Sequence, residues 1–240
     1  MKRKLVISAL VLVALIGGSI GGFKVWLDHW VAQSDGEVVA SDKAFRAAAK
    51  PEVVEFFFYG CPHCYALEPK LNSWLEDHKD VIRFRRVPAV FGPDWLPYLA
   101  KTPMWMMAQT YYTLEAMGRL DALHDLLFEQ VQVVKIDMTS EDAIVKYVAG
   151  AGVDSGRFRE LFESKAMSDK VRTARQAMSA NGVRVTPTFI VNGYFRASAR
   201  TASYNNVVLL KQVDGFVNKS RQEPGQPAAN TRQPTSADLH

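Results

Sequence analysis

Both cysteines of this 240-residue chain lie in one motif, Cys61-Pro62-His63-Cys64, directly behind an apolar run from Val53 to Phe58. Apart from Glu55, the run carries no charge, which predicts a central strand over Glu52–Tyr59 that is covered on both faces. Apolar residues at spacings of three and four predict a helix from Cys61 onward: Leu67, Leu71, Trp74 and Leu75. The sequence therefore places both thiols where a strand turns into a helix.

The patterns behind the motif predict an α/β domain that is interrupted by helices. A strand over Val81–Val87 follows the first helix, and a right-handed crossover makes it parallel to the first strand. A strand over Arg184–Val191, a hairpin turn at Asn192-Gly193 and a helix over about Asn205–Val217 come last. Between them, five helices are predicted: Thr102–Met117, Leu120–Val133, Ser140–Ala149, Ser155–Glu163 and Ser168–Ala180.

The N-terminus predicts a membrane segment. Three cations, Lys2 to Lys4, precede an uncharged stretch from Leu5 to Phe23 that is about as long as a bilayer core requires. This charge asymmetry keeps the N-terminus in the cytoplasm and places the rest of the chain in the periplasm or another extracytoplasmic space. A cleaved signal peptide and a retained signal anchor are both open; the length of the stretch, with Trp26 and Trp30 behind it, favours retention.

The two ends and the central patterns divide the chain into regions with different expected structure. They are a signal anchor or signal peptide (1–30), a linker with a possible edge strand (31–50), an α/β domain in two pieces (51–95 and 181–219), a helical insertion (96–180) and a disordered tail (220–240) that is rich in Pro, Gln and Asn.

The placement of the thiols predicts redox chemistry. A helix N-terminus lowers the pKa of a cysteine, and a protonated His63 would stabilise the Cys61 thiolate further, while Pro62 restrains the turn. Stabilising the thiolate favours the dithiol over the disulfide, so the oxidised motif is expected to be a good oxidant. Cys64, one helical turn further on, would resolve mixed disulfides.

The sequence gives less support to a role of the two cysteines in a metal site or in a structural disulfide. A zinc site needs two further ligands, but the chain has no other cysteine and four histidines fit no paired spacing: His29, His78, His124 and His240. A structural disulfide would close too short a loop to constrain much chain entropy. The formal charge of +4 is modest and scattered, which argues against nucleic acid as a partner. We therefore expect no metal and no cofactor besides a redox-active disulfide.

Pro187 stands inside an otherwise good strand, although proline cannot donate to a sheet ladder. A cis peptide bond after Thr186 would provide a special local geometry, whereas base rates favour a trans proline on an edge strand. Because a Cys-x-x-Cys motif precedes Pro187 in the chain, we predict the cis bond.

Two segments, Glu55 to Tyr65 and Val183 to Gly193, resemble the DsbA branch of the thioredoxin superfamily, and the similarity extends over roughly Pro51 to Val217. The resemblance implies a thioredoxin-like fold with a helical insertion and a protein disulfide oxidoreductase. It further implies roles for three residues: Cys61 as the exposed nucleophile, Cys64 as the resolving thiol and Pro187 as a cis proline beside the substrate strand.

The resemblance also implies that Glu55 is a buried acid beneath the motif, able to hold or relay the Cys64 proton. A salt bridge or an outward-facing position is the alternative. Thr186 departs from the valine of the best-known DsbA proteins, and threonine is frequent in disulfide isomerases and reductases. Its hydroxyl could hydrogen-bond the Cys61 sulfur, so oxidase and isomerase or reductase both stay open.

In this family the substrates are reduced exported proteins, and a quinone-linked DsbB-type membrane protein restores the disulfide. Both partners are implied by resemblance alone. Residues 31–50 are too short for the dimerisation domain of disulfide isomerases, and we expect a monomer. A metal-binding or chaperone-like module without dithiol turnover is the remaining alternative.

Two further groups of residues are predicted to be structural. Helical spacing places the Met104 to Met107 cluster in the core of the insertion rather than on a surface for unfolded substrates. Tyr65 and Glu68 lie near the motif and could tune it, but the default expectation is the solvated face of the first helix.

Overall fold

The computed structural model describes residues 48–92 and 102–222 of the chain. The predicted membrane segment, residues 31–47 of the predicted linker and residues 223–240 of the predicted tail lie outside these ranges. Within them, no helix combines the length and the apolar character needed to cross a bilayer.

A four-stranded mixed sheet forms the centre of the described domain, with strand order β2-β1-β3-β4. The strands are β1 (Glu52–Phe57), β2 (Arg83–Pro88), β3 (Thr188–Val191) and β4 (Phe195–Ser198). As predicted, β2 runs parallel to β1, whereas β3 is antiparallel to both β1 and β4. The predicted hairpin is confirmed, since Asn192 and Gly193 have φ values of 53° and 67°, the combination that a type I′ turn requires.

Helices flank the sheet and fill the long connection between β2 and β3. In chain order they are α1 (Pro62–His78), α2 (Pro103–Ala116), α3 (Leu120–Glu129), α4 (Glu141–Gly150), α5 (Ser155–Phe162), α6 (Lys165–Ala180) and α7 (Asn206–Gln222). α3 continues into a π-helical segment over Gln130–Val134. The predicted helical insertion is therefore present.

Several predicted boundaries were wrong, most clearly those of α6, α7 and β3. α6 begins at Lys165 and not at Ser168, because the Ser164 hydroxyl accepts a hydrogen bond from the Met167 amide and caps the helix there. α7 extends to Gln222, so the first residues of the predicted disordered tail are helical. β3 begins at Thr188, which leaves Pro187 ahead of the strand, where its missing N–H costs no ladder hydrogen bond.

The core lies on both faces of β1, as the apolar run predicts. On one side Val53 packs with Leu67 and Leu71 of α1 and with Leu209 of α7. Phe57 belongs to a second cluster with the insertion helices. Burying a large apolar side chain stabilises a fold by about 1.5–3 kcal/mol, and β1 is therefore held in place from two directions.

The tryptophan and two of the methionines in the predicted core cluster are buried, which confirms their structural role: Trp105, Met106 and Met107. They lie on α2, whose Thr102 hydroxyl accepts a hydrogen bond from the Trp105 amide and caps the helix. This part of the insertion is packed rather than offered to a substrate.

Candidate active site

Cys61 is the N-cap of α1. Its sulfur accepts a hydrogen bond from the Cys64 backbone amide at 3.4 Å, and Pro62 occupies the first turn, where its missing N–H needs no partner. Both cysteines are free thiols, but Cys61 is only partly buried while Cys64 is fully buried. An attacking group can therefore reach Cys61 and not Cys64.

Hydrogen bonds to its sulfur lower the pKa of Cys61 from 9.0 to about 5. The largest contribution is the hydrogen bond from the Cys64 thiol; burial opposes it, and the Thr186 side chain and the backbone amides of Cys64 and His63 lower the pKa further. Burial raises the pKa of the Cys64 thiol well above its usual range. At neutral pH Cys61 is thus the thiolate and Cys64 the protonated partner.

The segment before β3 meets the cysteine motif. In its protonated form the Cys61 thiol donates a hydrogen bond to the backbone carbonyl of Thr186, with the sulfur and the oxygen 3.4 Å apart, and the peptide bond between Thr186 and Pro187 is cis, which confirms the prediction. The sequence predicted a contact through the Thr186 hydroxyl; the structure adds the backbone carbonyl, which any residue at this position would offer. Pro187 is buried and Thr186 is partly exposed at the edge of the site.

His63 projects from the motif into solvent, and its ring lies against Tyr204 with centroids 5.0 Å apart and planes at 37°. Its backbone amide is among the groups that lower the pKa of Cys61. Sequence reasoning missed Tyr204, because nothing local connects it to the motif. The loop that carries it turns sharply, with positive φ at Ser203 (50°) and Tyr204 (59°).

Glu55 is fully buried on β1, so the outward-facing alternative is wrong. Its partner in the parallel register is Arg86 on β2, and Glu55 Oε2 accepts a hydrogen bond from Arg86 Nε at 3.2 Å. The structure therefore confirms that Glu55 is buried and that it pairs with Arg86, while its role toward the Cys64 proton stays a prediction.

The surroundings of Glu55 favour its protonated form. Burial and the charge of Glu68 raise the pKa of Glu55 from 4.5 to about 8, against the opposing effect of Arg86. The charge of Glu55 in turn contributes to the raised pKa of Cys64, so the carboxyl and the buried thiol interact electrostatically. The site thus combines a reactive thiolate, a protonated thiol and an acid that carries a proton near neutrality.

Sequence reasoning missed Arg86 as a member of this group and considered Glu68 only as a residue that could tune the motif. Glu68 is 4% exposed, which corrects its predicted place on the solvated face, and its Oε2 accepts a hydrogen bond from Arg86 Nη2 at 3.0 Å. A signal existed: Glu68 follows Cys64 by one helical turn, and residues four apart share a helix face. No comparable signal identified Arg86 among the basic residues of β2. Tyr65, the other residue predicted on the solvated face, is partly buried.

Comparisons with known proteins agree with this arrangement. Residues 52–207 match the family model described as a DSBA-like thioredoxin domain. The thiol:disulfide interchange protein DsbA of Pseudomonas aeruginosa is 30% identical over 219 residues, which cover 91% of this chain and 97% of that protein. Its counterpart in Pseudomonas syringae pv. tomato is 32% identical over 221 residues, or 91% of this chain and 96% of that protein.

Two solved structures of DsbA proteins also resemble the structure of this chain. The crystal structure of Pseudomonas aeruginosa DsbA superimposes with a TM-score of 0.67 at 30% identity, covering 77% of this chain and 91% of that one. DsbA from Xylella fastidiosa superimposes with a TM-score of 0.62 at 27% identity, covering 76% of this chain and 92% of that one.

Proposed function

This chain belongs to the family of DsbA-like thioredoxin domains and is a thiol:disulfide oxidoreductase, and on that premise we propose that it donates the Cys61–Cys64 disulfide to reduced, folding proteins outside the cytoplasm. The observation that supports this direction is the asymmetry of the two thiols. The pKa of the accessible Cys61 is lowered to about 5, while burial raises the pKa of Cys64. A stabilised Cys61 thiolate favours the reduced protein and makes the disulfide a strong oxidant.

The proposed reaction is two successive exchanges. A substrate thiolate attacks the Cys61 sulfur, the Cys61–Cys64 bond breaks, and the electron pair leaves on Cys64. A second substrate thiolate then attacks the substrate sulfur of the mixed disulfide and expels the Cys61 thiolate, which is a good leaving group because of its low pKa. The substrate loses two electrons to form a disulfide, and the cysteine pair gains them.

Cys64 needs a proton when it leaves, because its buried thiolate is disfavoured. We assign that proton to Glu55, whose raised pKa of about 8 keeps it protonated near neutral pH. Arg86 and Glu68 act through Glu55 and are positioning residues. In the reverse direction, when the pair is oxidised again, the same carboxyl would take the proton back.

The remaining predicted site residues surround the Cys61 sulfur. The backbone at Thr186 and Pro187 is proposed to hold the substrate strand beside Cys61, supported by the 3.4 Å contact between the Cys61 sulfur and the Thr186 carbonyl. His63 and Pro62 shape the exposed side of the motif. No cofactor enters this scheme apart from the disulfide itself.

The isomerase or reductase alternative depends on Thr186. The side chain of Thr186 lowers the pKa of Cys61, which stabilises the dithiol form and so favours an oxidant. We therefore place the oxidase ahead of the alternative.

Location and partners follow from the N-terminal sequence and from the family. We propose that residues 1–30 remain as an inner-membrane anchor with the catalytic domain outside the cytoplasm, in an oxidising compartment where disulfides persist. The thioredoxin-like domain would comprise residues 51–95 and 181–222, with the insertion at 96–180 and the domain end moved from 219 to the last residue of α7. A quinone-linked DsbB-type membrane protein would reoxidise the pair, and the chain would act as a monomer.

Trapping tests the proposal. In a Cys64→Ala variant, mixed disulfides with exported proteins should accumulate through Cys61, and a Cys61→Ala variant, which lacks the nucleophile, is the matched control. Absence of any adduct in Cys64→Ala, together with metal in the purified protein that is lost on replacing both cysteines by serine, would favour the metal-binding alternative. The reduction potential of the cysteine pair distinguishes an oxidase from a reductase. A strong oxidant has a potential of about −120 mV, which would support the oxidase, and a potential of about −270 mV would support a reductase.

A further inference from the structure

Two buried polar atoms face each other without a hydrogen-bond partner. Nε2 of His124, on α3, lies 3.6 Å from Oε1 of Glu68, on α1. The two residues are 5% and 4% exposed, and neither atom has a hydrogen-bond partner among the described residues. Buried polar atoms are nearly always satisfied in folded proteins, so a pair of unsatisfied atoms calls for an explanation.

A third potential ligand completes the group. Asp125 follows His124 on α3 and is exposed, and one ligand atom from each of the three residues lies within 4.8 Å of the others. One imidazole nitrogen and two carboxylate oxygens form a donor set that zinc accepts, and zinc sites with three protein ligands keep a fourth position for water. Sequence reasoning missed this set and predicted no metal, because the ligands come from two helices and only one is a histidine.

One carboxylate oxygen of each acid is held by a neighbouring side chain. Glu68 Oε2 accepts a hydrogen bond from Arg86 Nη2 at 3.0 Å, so Arg86 leaves Oε1 free. Asp125 Oδ2 accepts a hydrogen bond from Asn72 Nδ2 at 3.1 Å. Outer partners of this kind orient metal ligands in known sites.

The second nitrogen of His124 has the partner that a metal ligand requires. Nδ1 lies 2.9 Å from the hydroxyl oxygen of Tyr59. With the proton on Nδ1 and the Tyr59 oxygen accepting it, Nε2 presents its lone pair toward Glu68. Metal-bound histidines commonly donate their other ring N–H to an oxygen in this way.

Solvent can reach the group. A cavity of about 770 Å³ opens beside it and is lined by His124, Asp125, Asn72 and Tyr111 among others. An ion could enter through this cavity and keep water on its open side. We propose that Glu68, His124 and Asp125 bind one divalent transition-metal ion of the zinc type, at a site that uses neither cysteine and goes beyond the proposed oxidase function.

The test uses a variant without cysteines, because zinc also binds reduced cysteine thiolates and this would obscure binding at the proposed site. The full-length chain with Cys61→Ser and Cys64→Ser, purified in mild detergent, is titrated with zinc against a chelating dye, and its melting temperature is followed. We expect one zinc ion per chain and a melting temperature that rises with zinc concentration. Because imidazole is a poor ligand for magnesium, an excess of magnesium should not displace the zinc.

Two variants locate the ion. Asp125→Asn removes an exposed ligand with little risk to the fold. Loss of a hydrogen-bond partner of a metal ligand typically lowers metal affinity by about 10- to 100-fold, and we expect the loss of this ligand to weaken zinc binding at least as much. His124→Gln should have the same effect. Asp121→Asn is the matched control, because Asp121 lines the same cavity one turn earlier on α3 but is not in the ligand group.

Two results would overturn the site: no saturable zinc binding to the cysteine-free chain, or binding that Asp125→Asn and Asp121→Asn weaken equally. In that case the His124 to Glu68 contact is a loose hydrogen bond only. Because the cysteines are absent from this experiment, its failure leaves the oxidase proposal untouched, and failure of the trapping experiment leaves the metal site untouched.

Discussion

The thiol of Cys61 and the carbonyl oxygen of Thr186 are 3.4 Å apart, although 125 positions separate the two residues in the chain. This contact brings the segment before β3 to the N-terminus of α1 and places the Thr186 side chain where it lowers the pKa of Cys61. The reactivity of the motif is therefore set partly by a residue from the other end of the domain.

Replacing Thr186 by valine should make the protein a weaker oxidant. The substitution removes a hydroxyl hydrogen bond to the thiolate, and we expect the pKa of Cys61 to rise by about 1 pH unit, equivalent to about 1.4 kcal/mol. The reduction potential should fall by about 30 mV. Ultraviolet absorbance of the thiolate against pH and equilibration in glutathione buffers measure the two changes. Thr173→Val, an exposed hydroxyl on α6, is the control; unchanged values in Thr186→Val would show that the hydroxyl has no influence.

The hydrogen bond from the Cys64 thiol is the largest contribution to the low pKa of Cys61. Cys64→Ala removes this donor and should move the rise in Cys61 alkylation rate to higher pH, because alkylation follows the thiolate fraction. Cys64→Ser keeps a hydroxyl donor and should retain more of the low pKa. The pH profile of reaction with a neutral alkylating reagent measures both variants. Identical profiles for the two would contradict the assigned donor.

Arg86 should matter far more to stability than its neighbour Arg85. Arg86→Met leaves the buried carboxyl groups of Glu55 and Glu68 without their cationic partner, and breaking a buried ion pair typically costs about 3–5 kcal/mol. Arg85 pairs with Glu52 at the surface, where both side chains are at least 40% exposed, so Arg85→Met should cost less than about 1 kcal/mol.

Urea unfolding of the oxidised protein measures the free energy of unfolding of both arginine variants. Adding Glu55→Gln to Arg86→Met should restore part of the lost stability, because it removes one of the uncompensated carboxyl groups. Equal losses in Arg85→Met and Arg86→Met would contradict the buried network.

Glu55 should make the oxidised protein less stable as the pH rises. Its pKa is about 8 in the folded protein and 4.5 in the reference state, so between these values the folded state holds a proton that the unfolded state has released. The contribution is complete below about pH 4.5 and is lost as the pH passes 8, since stability falls wherever the folded state binds more protons. Glu55→Gln should flatten this decline in unfolding free energy. A parallel decline in the variant would assign the dependence to other groups.

Local features of the chain were readable from the sequence because their causes are local. The apolar run before the motif predicts β1, and a helix start beside a cysteine predicts a lowered pKa for Cys61, since the Cys64 thiol and the two contributing amides lie within the next three residues. The Asn192-Gly193 turn follows from the positive φ that these residues tolerate. The cis bond before Pro187 was predicted only with the cysteine motif in mind.

The tertiary structure alone decided which distant groups meet. The sequence by itself determined a strand, a turn, a helix and two thiols of unequal reactivity, because neighbouring residues fix these. It did not determine that Arg86 stands beside Glu55, that Tyr204 contacts the ring of His63 or that His124 faces Glu68. Those pairs depend on strand register and helix packing over long separations, and the pKa of Glu55 depends on the burial that this packing creates.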